Sequence, residues 1–207
     1  MGGYRQWDRA EDRFRTLPGD TQRWALGAAA ASTGAVALFH IAGVTPEAPD
    51  VEAICAEDCV DVILTPAMLR AARDMLSTAA DGAVDAVAVG SPHLSLAEFD
   101  GIERQLGGRR FALPFYANTG RHVIAVLEEK GRLRPLTEAG LIPVVDTCIA
   151  VTPILPEHSN GVLMTNSGKF ACYAPATTGY ASLYGSLHDC IETAVAGRLV
   201  RDESLWQ

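Results

Sequence analysis

The segment Thr165-Asn-Ser-Gly-Lys169 places small polar side chains and one cation directly after a short apolar run. That run, Val162–Met164, is typical of a buried strand, and α/β proteins usually place their chemistry where such strands end. Asn166 and Ser167 can donate or accept hydrogen bonds, and Lys169 can hold an anion. The segment therefore predicts either part of an active site or an ordinary polar turn with an exposed lysine.

A nucleotide-binding P-loop is excluded at this segment. That motif requires glycine five positions before Gly168, where Leu163 stands, and serine or threonine after the lysine, where Phe170 stands.

Two polar side chains follow the apolar strand predicted at 84–89. Ser91 and His93 lie between the end of that strand and a helix whose start is marked by Ser95 and Glu98, which have the spacing of a capping box. Both a functional and a purely structural role are open for Ser91 and His93.

Two further predicted strands, 111–116 and 141–145, also end in polar residues. Asn118, Thr119 and Arg121 follow the first strand, and Cys148 follows the second. Arg121 at a helix start opposes the helix dipole, which is explained either by an anionic ligand or by pairing with surface carboxylates. Because parallel strands collect their carboxyl ends at one edge of a sheet, these residues are predicted to share a single pocket.

Apolar periodicity predicts the elements that carry these residues. Helices are predicted at about 20–32, 65–78, 95–105, 121–131, 133–139 and after Ser186, and strands at 35–41, 60–64, 84–89, 111–116, 141–145 and 162–164. The run 35–41 is apolar nearly throughout and predicts a strand buried on both faces, and the proline in 111–116 predicts an edge or kinked strand. In the helix after Thr65, the residues Leu69, Ala72 and Leu76 are predicted to face inward.

Composition narrows the classes of function. The 207 residues are 48% hydrophobic and carry a net charge of −8 with no basic run, which argues against nucleic-acid binding. The absence of a long apolar segment argues against a membrane protein, and a cytoplasmic location is the default expectation. Five cysteines without a C-x-x-C pair favour thiols over disulfides, and Cys55 and Cys59 are interpreted as buried small side chains on one helical face.

Several motifs, in the same order along the chain, resemble aconitase X. The resemblance covers about residues 20–198 and is specific to the carboxyl-terminal half of the large or fused catalytic chain of that family. The motifs that carry it are Thr33–His40, Gly43–Glu47, Gly90–Glu98, Val145–Cys148, Met164–Lys169, Tyr173–Pro175 and Gly185–Cys190.

The resemblance implies an aconitase-like α/β fold with three layers and a mainly parallel sheet. It also implies a dehydratase that uses an iron–sulfur cluster or iron to eliminate water from a small hydroxylated carboxylate, with cis-3-hydroxy-L-proline as the expected substrate. By this resemblance Cys148 is a metal ligand. The expected catalytic residues are His93, Ser167 and Lys169, and the expected substrate-binding residues are Ser91, Asn118, Thr119, Arg121 and Asn166.

Two departures from the family pattern bear on this hypothesis. Many relatives carry cysteine where Ser91 stands, and complete catalytic chains are roughly twice as long. Residues 20–198 are therefore interpreted as a partial catalytic domain between a lead-in (1–19) and a tail (199–207), with a second chain supplying the upstream half or the swivel domain. The alternatives are a non-catalytic anion-binding or assembly subunit, and an inactive truncated fragment.

Overall fold

A computed structural model describes residues 4–7, 19–55, 59–79, 82–157 and 161–206. The helices are α1 (Gly19–Gly34), α2 (Pro66–Met75), α3 (Leu96–Leu106), α4 (Arg121–Glu129), α5 (Leu133–Glu138), α6 (Gly168–Thr178) and α7 (Leu187–Ala196). The strands are β1 (Tyr4–Trp7), β2 (Val60–Ile63), β3 (Ala86–Leu94), β4 (Phe115–Thr119), β5 (Leu141–Val145), β6 (Val162–Thr165) and β7 (Ala181–Tyr184). A short 3-10 helix, Glu203–Trp206, follows α7.

The main sheet has five strands in the order β5-β4-β3-β6-β7, and every neighbouring pair is parallel. Side chains alternate across β3, so that Val87 and Val89 pack with the helices on one face while Ala86 and Ala88 pack with the other face. The first face is covered by α3, α4, α5 and α7, and the second by α6 and the loop after β5. The predicted α/β class with a mainly parallel sheet is confirmed.

Helix starts follow local capping rules. Ser95 caps α3 and Ser186 caps α7, each with a reciprocal bond from the residue at the third helical position. Thr65 caps α2 just before a proline at the first helical position, as its sequence predicts. None of the helices in the described ranges is both long and apolar enough to cross a membrane.

Helix α1 joins the rest of the chain by packing on α6. A Cβ atom added to Gly168, at the start of α6, would lie 3.3 Å from the Cβ of Ala29. The glycine after Ser167 therefore serves a close contact between helices.

The predicted strand at 35–41 is wrong. This segment is irregular, follows the end of α1 at a positive φ of 50° at Ala35, and leaves Leu38 74% exposed. A parallel strand needs neighbours for its backbone hydrogen bonds, and 35–41 pairs with no strand in the described ranges.

Three other expectations are corrected. Cys55 and Cys59 form a disulfide instead of buried thiols. Helix α2 exposes Leu69 and Ala72, which were expected to face inward, and instead buries Arg73, whose guanidinium is held by the carboxylates of Asp74 and Glu203. The strand predicted at 111–116 begins only at Phe115 and lies inside the sheet, between β3 and β5, so it is not an edge strand.

Candidate functional site

The carboxyl end of β3 carries Ser91 and His93. The strand continues to Leu94 past a shift in its register with β4, so both residues belong to the strand and precede the loop to α3. Gly90 has a φ of 84°, and a side chain there would collide with the carbonyl of Asn118. The Ser91–Pro92 peptide is cis.

Residues from the ends of three strands meet around Ser91. Its hydroxyl lies 3.9 Å from the thiol sulfur of Cys148, which follows β5. The hydroxyl of Ser167, which follows β6, donates a hydrogen bond to the carbonyl of Ser91. His93 Nε2 lies 3.1 Å from the carbonyl oxygen of Thr147. The predicted convergence of β3, β5 and β6 at one edge of the sheet is therefore present for these residues.

Cys148 lies in a tight loop after β5 and is half-buried. Its carbonyl accepts hydrogen bonds from the backbone N–H groups of Val151 (3.0 Å) and Thr152 (3.1 Å). The hydroxyls of Thr147 and Thr152 are 2.6 Å apart, which closes the loop on itself. The thiol is thus presented toward Ser91 by a loop with several internal bonds.

Asn118 and Thr119 have buried side chains that bond to the main chain. Asn118 donates to the carbonyl of Val89 at 2.8 Å and accepts from the N–H of Ile149 at 3.3 Å. Thr119 donates to the carbonyl of Leu94 at 2.8 Å. These contacts tie Val89 and Leu94, on either side of Ser91, and Ile149, the residue after Cys148, to strand β4. The expected substrate contact of Asn118 and Thr119 stays a prediction.

Arg121, at the start of α4, is paired with Asp146. Both its backbone N–H and its guanidinium Nε donate to the Asp146 carboxylate, while most of the Arg121 side chain is exposed. The pKa of Asp146 is lowered, first by the backbone hydrogen bond and then by the guanidinium bond. Asp146 adopts a positive φ of 55° and belongs to the Val145–Cys148 motif, but it is not among the expected site residues. A substrate carboxylate would compete with Asp146 for Arg121.

The segment from Asn166 to Lys169 opens helix α6. Ser167 is its N-cap, accepting a hydrogen bond from the N–H of Phe170 at 3.1 Å. Asn166 and Lys169 are half-buried, and Lys169 forms no ion pair with any described residue. Lys169 is therefore a cation near this end of β6 that is not already neutralised by such a pair.

The described residues do not supply a metal-ligand set. They contain no group of three or more His, Cys, Asp or Glu side chains placed to hold a metal ion. Cys190 is fully buried in the core between α7 and the sheet, and Cys172 lies on α6 with its thiol on the carbonyl of Ser32. Cys148 alone does not fit an iron–sulfur cluster, which takes several thiolate ligands.

A cavity of about 470 Å³ lies away from this edge of the sheet, near α3 and α5. Two arginines in its lining are already neutralised: Arg109 is paired with Glu192, and Arg132 with Glu103. This cavity shares no residue with the group around Ser91.

The fold is similar to that of aconitase X, and the sequence is similar to those of proteins named as dehydratases. The crystal structure of Thermococcus kodakaraensis aconitase X in its holo form superimposes with a TM-score of 0.75 at 26% identity, covering 94% of this chain and 48% of that one. The cis-3-hydroxy-L-proline dehydratase of Pseudomonas aeruginosa is 36% identical over 180 residues, which are 84% of this chain and 31% of that protein. The phosphomevalonate dehydratase large subunit of Methanosarcina mazei is 32% identical over 186 residues, 90% of this chain and 44% of that protein.

Family models give the particular assignment. The model of the aconitase X third domain matches residues 84–196, more than half of the chain, and that of the aconitase X second domain matches residues 13–74. The chain belongs to the aconitase X family. It spans less than half of the length of each of the relatives named above.

Proposed function

We propose that this chain forms one part of an aconitase X-type hydro-lyase that eliminates water from a small hydroxylated carboxylate. The observation that carries the proposal is the meeting of Ser91, His93, Cys148 and Ser167 at the carboxyl edge of adjacent parallel strands. The relatives named as dehydratases support the reaction class. The relative from Pseudomonas aeruginosa supports cis-3-hydroxy-L-proline as the substrate.

The reaction removes a proton from the carbon beside the carboxylate and a hydroxyl from the next carbon, and the two leave as water. We assign the proton transfer to His93. Because the carbonyl of Thr147 can only accept a hydrogen bond, His93 Nε2 must carry a hydrogen, and Nδ1 of the neutral ring is then free to accept a proton. The contact with Thr147 thus fixes the useful tautomer.

The other polar groups are assigned to binding and positioning. Lys169 is the preferred partner for the substrate carboxylate, because Arg121 is already occupied by Asp146. Ser91 and Asn166 complete the polar wall that the substrate contacts. Ser167 supports this wall through its bond to Ser91, in addition to its proposed catalytic role.

We further propose that Cys148 is the contribution of this chain to an iron–sulfur cluster or iron, with the remaining ligands and part of the pocket supplied from outside the described residues. Residues 20–198 would form the catalytic unit, with 1–19 as a lead-in and 199–207 as a tail. A large subunit is by its name one part of an assembly, and the relative from Methanosarcina mazei supports such an arrangement. A cytoplasmic location is part of the same proposal.

The test is reconstitution. The chain is co-expressed with the remainder of the Pseudomonas aeruginosa relative, and the complex is assayed for iron and for a product of cis-3-hydroxy-L-proline lighter by one water. Cys148→Ser should abolish iron loading, whereas Cys172→Ser, which replaces an exposed thiol on α6, should not. A complex without iron and without dehydration would reject the proposal.

A second candidate, a non-catalytic subunit that binds carboxylates, is favoured by the incomplete ligand set of the described residues. In that case Lys169→Ala weakens carboxylate binding while Cys148→Ala leaves it unchanged. Isothermal titration with the substrate under metal-free conditions separates the two functions.

A further inference from the structure

Strands β1 and β2 form a small parallel sheet of their own. β2 pairs with β1 in register from Val60 to Ile63 and with no other strand in the described ranges. Val60 is 58% exposed and Ile63 71% exposed, although they point to opposite faces of the strand. Parallel strands are normally covered on both faces, and a two-stranded sheet alone is marginally stable in water. Something else should therefore cover β2.

Both edge strands of the main sheet, unlike β2, are protected against pairing with a further strand. On β7, the carbonyl of Ser182 accepts hydrogen bonds from the N–H groups of Thr78 (2.8 Å) and Ala79 (3.1 Å), which cover the outer edge. On β5, the opposite edge, Pro143 lacks an N–H and interrupts the row of donors. β2 has no proline and no covering segment among the described residues. As far as the described ranges show, its second edge is open for pairing.

The apolar surface continues from β2 into the start of α2. Leu64 follows Ile63 directly, Met68 and Leu69 lie in the first turn of α2, and all three are exposed. An apolar patch of this kind, next to an open strand edge, is typical of an interface.

The arginines of α2 do not contribute to this surface. Arg70 donates to the carbonyl of Trp206 at 2.7 Å, and Arg73 is paired with Glu203 at 2.7 Å. A complementary surface is therefore apolar at its centre.

We propose that the open edge of β2 and the apolar start of α2 are the docking surface for the aconitase X first domain, which adds a strand beside β2 and covers Ile63, Leu64 and Met68. The family models that match this chain are those of the second and third domains, at residues 13–74 and 84–196, so the family also has a first domain, and we take it as the occupant. The inference rests on the proposed function, since it assumes that this chain works as part of an aconitase X assembly.

The test uses the full chain and, as the probe, the first domain of the Pseudomonas aeruginosa relative, taken from outside its matched 180 residues. Light scattering should show a one-to-one complex, and hydrogen exchange should show slower exchange of the β2 amides in it. Ile63→Lys and Met68→Lys should each weaken binding by at least about tenfold, because they place an unpaired charge in an apolar interface. Ile142→Lys is the matched control, since Ile142 is an exposed apolar residue on β5, at the opposite edge of the main sheet.

Three results would overturn the docking surface. The first is equal affinity of all three variants, and the second is absence of a complex. The third is a homodimer of this chain that Ile63→Lys and Met68→Lys disrupt. The hydrogen-exchange measurement on the unsubstituted chain decides the question even if one variant fails to fold. A complex that depends on Ile63 but does not dehydrate hydroxyproline contradicts only the proposed function. A complex that dehydrates but is insensitive to Ile63→Lys contradicts only the docking surface.

Discussion

Asn118 links two polar segments of the site through one buried amide. It donates to Val89 just before the Ser91 segment and accepts from Ile149 just after Cys148. Asn118→Ala should remove one bond to the carbonyl of Val89 and leave the buried N–H of Ile149 without this acceptor, at a cost of about 1–3 kcal/mol in the free energy of unfolding. It should also accelerate alkylation of Cys148, because the loop is no longer tied to β4.

The matched control is Thr119→Val. Thr119 is the next residue on β4, is equally buried, and bonds to Leu94 instead of the Cys148 loop. Urea unfolding should show a loss of stability in both variants, while iodoacetamide labelling of Cys148 should accelerate only in Asn118→Ala. Equal labelling rates in both would contradict the positioning role of Asn118.

The Arg121–Asp146 pair makes a prediction about pH. Because the pKa of Asp146 is lowered in the folded state, its contribution to stability is complete above the unfolded value of about 3.9 and is lost as pH falls through the lower folded value. Arg121→Ala should raise the pKa of Asp146 but leave it below the usual range, since the backbone N–H at position 121 still donates. A carboxyl-carbon NMR titration measures this.

Arg134→Ala is the control for this titration. Arg134 belongs to a pair within α5, with Glu138, and does not contact Asp146. The pKa of Asp146 should be the same in this variant as in the unsubstituted chain. A shift of similar size in both variants would show that general charge, and not the direct bond, lowers the pKa.

Ser167, the N-cap of helix α6, also contacts Ser91, so its substitution tests whether the capping residue helps to position the site. Ser167→Ala removes both the cap on Phe170 and the bond to the carbonyl of Ser91. Ser95→Ala removes a cap at the start of α3, whose partner is Glu98. Each should cost about 0.5–2 kcal/mol in urea unfolding, but only Ser167→Ala should change the labelling rate of Cys148. Unchanged labelling in Ser167→Ala would separate the cap from the site.

The elements that the sequence predicts well are those defined locally. The caps at Thr65, Ser95 and Ser186 depend on residues within one turn, and all three are confirmed. The segment 35–41 is apolar enough for a strand but has no neighbour to pair with. Conversely, β7 was not predicted, because its four residues become a strand through pairing with β6 and through the bonds of Ser182 to residues 76–79.

For the whole molecule, the rule that parallel strands end at one edge of their sheet predicts the position of the site better than the residue types do. Parallel strands bring Ser91, Cys148 and Ser167 together although they are far apart in sequence. The partners of Asn118 and Arg121 were not predictable in the same way, because they depend on the register of β3, β4 and β5 and on the positive φ of Asp146. The sequence thus predicts the edge where the groups meet but not which groups neutralise one another.

The two regions matched by separate family models should differ in stability. Val87 and Val89 lie on β3, which is paired on both sides in the centre of the main sheet, whereas Val62 lies on β2, which pairs only with β1 among the described residues. In native-state hydrogen exchange the β3 amides should open only with global unfolding. The β2 amides should open locally. We expect their opening free energy to be lower than that of the β3 amides by about 4 kcal/mol, so that they exchange about a thousandfold faster. Low concentrations of urea should speed exchange in β3 and leave β2 unchanged. Equal rates and equal urea dependence in the two strands would mean that β2 unfolds together with the main sheet and is already covered within this chain.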